Sequence, residues 1–214
     1  GALRLPTSPI GETMTTTLKT ASIALSVFCL FALAAPLAAQ SKLLELIPDD
    51  AVAALYIERP QRALPAGLTM PVFEALTEDK AVARQLTEAM KKIPGPLLIG
   101  LLMPPPKQDE PDVFIVMEKT DPAVDFDDLI EKTFLPALNI LVKQDGGTPL
   151  KLEKGKTGSR ILDPAGNKAV LTYAVKDKLL VASTRPQLSL RWVRGEWPEA
   201  RWLDLPGVKK LLKK

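Results

Sequence analysis

The chain has 214 residues, of which 46% are hydrophobic, 25% charged and only 5% aromatic, and its formal net charge is +3. That composition excludes a disordered polymer and describes a globular protein packed through aliphatic side chains. There is no histidine and a single cysteine, Cys29, which excludes Ser-His-Asp and Cys-His catalysis and the usual nitrogen and sulfur sites for zinc or copper once Cys29 is removed with the segment described next.

In chain order, residues 1–13 (GALRLPTSPIGET) have no initiator and no periodic pattern, and are expected to be a non-native or disordered leader. Residues 14–39 read as a secretory signal peptide. Lys19 supplies the positive n-region, Ile23 to Ala35 the apolar core, and Pro36 breaks the helix before Leu37-Ala38-Ala39. Cleavage between Ala39 and Gln40 makes the protein secreted or periplasmic. The alternative is a membrane anchor left by an uncleaved signal, since Ala21 to Ala39 is uncharged and of nearly spanning length. Cys29 lies inside the apolar core, without the preceding small residue of a lipoprotein box. Removal of Arg4, Glu12 and Lys19 with the first 39 residues leaves the mature part, 40–214, at +2. That part is long enough for one domain with a real core, and it has no cysteine for a disulfide.

The mature chain opens with SKLLELIPDD, a short helical turn ended by Pro48, and continues into a strand, AVAALYIE. A helix follows in MPVFEALTEDKAVARQLTEAMKKI, with Val72, Phe73 and Leu76, then Val82, Leu86, Met90 and Ile93, at three- and four-residue steps and a break near 77–80. PLLIGLLM and DVFIVME are apolar runs of strand length joined by the proline-rich PPPKQDEP, a long-looped hairpin. In TDPAVDFDDLIEKTFLPALNILVKQDGG, acids at the start, Lys143 near the end and the pair Gly146-Gly147 define a helix that Pro136 should kink. Four short strands, LKLEK, SRIL, KAVLTYAV and KLLVAS, are separated by turn sequences and predict an antiparallel meander. TRPQLSLRWVRG then predicts a helix capped by Thr184, with Pro186 in its first turn and Gly195 at its end, and a last helix is expected from Asp204. Together these elements predict an α+β domain, mainly an antiparallel sheet with helices packed on one face.

Four patterns bear on chemistry. EKGKTGS lacks the earlier glycine of a phosphate loop, because Leu150 stands there, and it leads into a strand rather than a helix. It reads as a turn. Asp121, Asp125, Asp127 and Asp128 do not supply an EF-hand register and read as helix N-terminal acids, with calcium as the alternative. Asp49 and Asp50 could pair for acid-base work, but neighbouring residues ahead of a strand point apart, so a turn role is favoured. The tail concentrates Trp192, Trp197 and Trp202 with Arg191, Arg194 and Arg201. From Arg185 to Lys214 eight basic side chains stand against three acidic ones. Leu188 and Trp192 share a helix face suited to packing, which leaves Arg191, Trp197, Arg201 and Trp202 as candidate surface contacts for an anionic membrane or polysaccharide.

LLELIPDDAVAALYIERP, a proline-acidic turn into a strand just after a signal segment, and LTYAVKDKLLVASTRPQLSLRWV, a hairpin running into a helix, resemble the N-terminal part of large uncharacterised secreted bacterial proteins that carry a domain of unknown function. The resemblance implies an exported domain, hands over no catalytic residues, and makes the Lys213-Lys214 end a truncation. The expected function is therefore a non-catalytic extracytoplasmic module, binding or assembling within a larger exported protein. No cofactor, metal or nucleic-acid partner is assigned. Envelope or extracellular components are the candidate partners, and the membrane is one only through an uncleaved signal. A surface-associating module using the basic tryptophan tail and a carboxylate enzyme acting on glycans are the alternatives.

Overall fold

The computed structural model describes residues 42–63, 80–106, 111–144 and 146–196. The signal segment with its Ala39–Gln40 junction, the first part of the predicted 70–93 helix and the tail beyond Glu196 lie outside the described residues.

Seven strands form one antiparallel sheet: β1 (Ala51–Ile57), β2 (Leu97–Leu102), β3 (Asp112–Glu118), β4 (Lys151–Glu153), β5 (Ser159–Asp163), β6 (Lys168–Lys176) and β7 (Leu179–Ser183). Their spatial order is β1-β2-β3-β7-β6-β5-β4. Two meanders, β1 to β3 and β4 to β7, thus meet where β3 pairs with β7, Val116 opposite Val181. The chain is α+β, and both hairpins expected from the proline-rich and Lys-Asp turns are present. Asn167 and Asp177 adopt the left-handed turn conformation, with φ of 46° and 56°, that short polar residues tolerate.

Side chains alternate across the sheet, so the consecutive apolar residues of β2, β3 and β7 divide between two cores. Leu97, Met117, Tyr173, Leu180 and Ala182 face one side, under α2 (Lys80–Lys91), α3 (Phe126–Leu129) and α4 (Leu135–Gln144). Leu98, Leu102, Phe114, Val116 and Val181 face the other, under the 3-10 turn Lys42–Leu46 and helix α5 (Pro186–Val193). A short helix, α1 (Pro60–Ala63), follows β1. The helices are therefore shared between the two faces rather than kept to one. Runs such as LLIGLL, apolar at successive positions, need cover on both sides. Gly100 sits where any Cβ would collide with the Phe114 ring, so this glycine makes room for a buried aromatic on the neighbouring strand.

Pro136 leaves its mark before its own position. Between α3 and α4 the helix widens into a π turn, Ile130–Phe134, and Leu135 N–H donates to the Ile130 carbonyl. Proline has no N–H to give and its ring crowds the carbonyl of residue 132. The wider turn carries the helix past that conflict in place of the simple kink expected from the sequence. Asn139 on α4 then pins the following loop, accepting from Leu150 N–H at 2.6 Å and donating to the Leu150 carbonyl at 3.2 Å.

Candidate functional site

Two polar clusters stand out among the described residues. The first lies at the end of the sheet where β1 begins, β2 ends and β3 begins. Arg185, just before α5, donates from Nη1 to Asp50 at 2.6 Å, from Nε to Asp112 at 3.0 Å and from Nη2 to the Met103 carbonyl at 2.9 Å. Thr184 donates from Oγ1 to Asp112 at 2.9 Å and accepts from the Val113 N–H. Ser183 donates from Oγ to the Val113 carbonyl and accepts from the Arg185 N–H. Burial opposes the charge of Arg185, but the hydrogen bonds it donates to Asp50 and Asp112 outweigh it and hold the pKa above the ordinary arginine value. A guanidinium fork suits this task because it reaches several acceptors in fixed directions.

This arrangement corrects two sequence expectations. Thr184 does not cap α5: the N-cap is Arg185, which makes no side-chain cap bond, and the Thr184 hydroxyl is spent on β3. Asp50, expected only to turn the chain, anchors Arg185 as well, while Asp49 stays exposed in the turn. Asp49 and Asp50 therefore do not converge. Asp50 and Asp112 do converge, but on one guanidinium that bridges them. Nothing in the local sequence of Asp112 or Arg185 signals a contact between groups so far apart in the chain.

The second cluster is the acidic helix start. Asp121 accepts from Ala123 N–H in an Asx turn, and Asp125 caps α3 by accepting from the N–H groups of Asp127 and Asp128. Asp128 pairs with Lys132 at 2.7 Å and Glu131 with Lys154 at 2.6 Å. Asp127 accepts from the hydroxyl of Tyr173, a buried β6 residue, at 2.7 Å. Burial is the main reason that the Tyr173 pKa rises well above the ordinary phenol value. The neighbouring Ser159 hydroxyl works against the rise, and the bond to Asp127 adds to it. Tyr173 is thus held as a proton donor and is unsuited to act as an anionic nucleophile. The four aspartates are distributed along the turn, each with a local task. Among the described residues no group of three or more acidic, histidine or cysteine side chains is placed to hold a metal ion.

Of the candidate surface contacts, Arg191 is exposed on α5; Trp197, Arg201 and Trp202 lie outside the described residues. Trp192 packs beside Leu188 against the sheet, as their four-residue spacing predicts. The Gly-Lys-Thr segment forms the turn between β4 and β5. No helix among the described residues is long and apolar enough to cross a membrane. Comparison with known protein families, curated proteins and solved structures finds no match.

Proposed function

We propose that the chain is a non-catalytic extracytoplasmic module, binding or assembling within a larger exported protein, possessing a signal peptide that is cleaved at Ala39–Gln40. One observation carries the non-catalytic part of this reading: the carboxylates that gather in the fold are engaged in closing it. Asp50 and Asp112 hold Arg185, Asp125 caps a helix, and Asp127 receives the Tyr173 hydroxyl. A glycoside-cleaving pair needs two carboxyl groups facing an open space, about 5 to 9.5 Å apart according to mechanism. Here the guanidinium of Arg185 bridges the two that approach each other. The exported character rests on the Lys19 n-region, the apolar core and the small-residue junction.

Two measurements test the reading. Expressed from Met14 in a bacterium, the exported product should begin at or beside Gln40 by mass spectrometry; a product that keeps Met14 and sediments with membranes supports the anchor instead. Purified protein incubated with polysaccharides should release no reducing ends, and it should not sediment with anionic vesicles. Glycan cleavage that is lost in Asp50→Asn or Asp112→Asn would establish the carboxylate enzyme, and vesicle binding lost in Trp197→Ala and Trp202→Ala would establish surface association through the tail.

A further inference from the structure

We draw no further inference here: the strongest candidate, the outer edge of β1 (Ala51–Ile57) at the end of the seven-stranded sheet, carries none because nothing among the described residues shows what covers it.

Discussion

Arg185 Nη1 lies 2.6 Å from Asp50 Oδ2 although 135 positions separate them in the chain. The contact joins the turn before the first strand to the residue before the last described helix, and Asp112 and the Met103 carbonyl complete it. Arg185→Ala should therefore lower stability by about 1 to 3 kcal/mol in chemical denaturation, since it strands two carboxylates in a partly buried place; partial exposure keeps the loss below that of a fully buried pair. Arg185→Lys should recover little, because an ammonium group cannot reach three acceptors as a fork does. Full recovery by lysine would show that charge alone matters here.

The Tyr173–Asp127 bond predicts a loss of stability in alkali. The folded pKa of Tyr173 lies above its unfolded value of about 10. Below pH about 10 both states keep the proton and the stabilisation is complete. Above it the unfolded chain ionises while the folded chain resists, so stability falls as pH rises toward the folded pKa. Melting temperatures followed from about pH 8 to about pH 11 should drop more steeply in the wild type than in Tyr173→Phe, which has nothing to ionise there. Equal slopes would contradict the buried, hydrogen-bonded phenol.

Trp192 is 9% exposed and packs in the same core as Leu188, Leu98 and Phe114. Trp192→Ala should cost about 3 to 5 kcal/mol, the sum of lost burial and the cavity left under α5. Arg191, one residue away and exposed, should change stability by less than about 0.5 kcal/mol on truncation to alanine.

Thr172, 1% exposed, has a side-chain oxygen with no hydrogen-bond partner among the described residues. Removing an unsatisfied buried hydroxyl while keeping its shape is neutral or favourable, so Thr172→Val should leave stability unchanged or raise it by about 1 kcal/mol. A loss comparable to that of a broken hydrogen bond would mean that an ordered water serves this group.

Strand spacing, the two hairpins and the helix face of Leu188 and Trp192 were legible because each depends on a local period or a turn residue. The sequence showed Pro136 as a helix fault but not how the helix would absorb it, since a π turn and a kink satisfy the same missing N–H. AVAALYI reads as a buried run by composition, yet β1 stands at the edge. Strand order is set by long-range pairing, and no residue within β1 encodes it. The same reason hid the Arg185 cluster. Asp50, Asp112 and Arg185 are ordinary charged residues in three distant segments, and only the closed sheet brings them together.

The seam between β3 and β7 has a consequence for how the molecule is made. Until Leu179–Ser183 exists, β3 has no partner on its outer side, and its apolar residues Phe114 to Met117 have their backbone satisfied by β2 alone. A growing chain that has produced the first meander therefore carries an unfinished, sticky border through the synthesis of more than sixty further residues, from Glu118 to Leu179. Completion depends on contacts between distant segments, which favours slow closure and dependence on whatever shields that border in the interval.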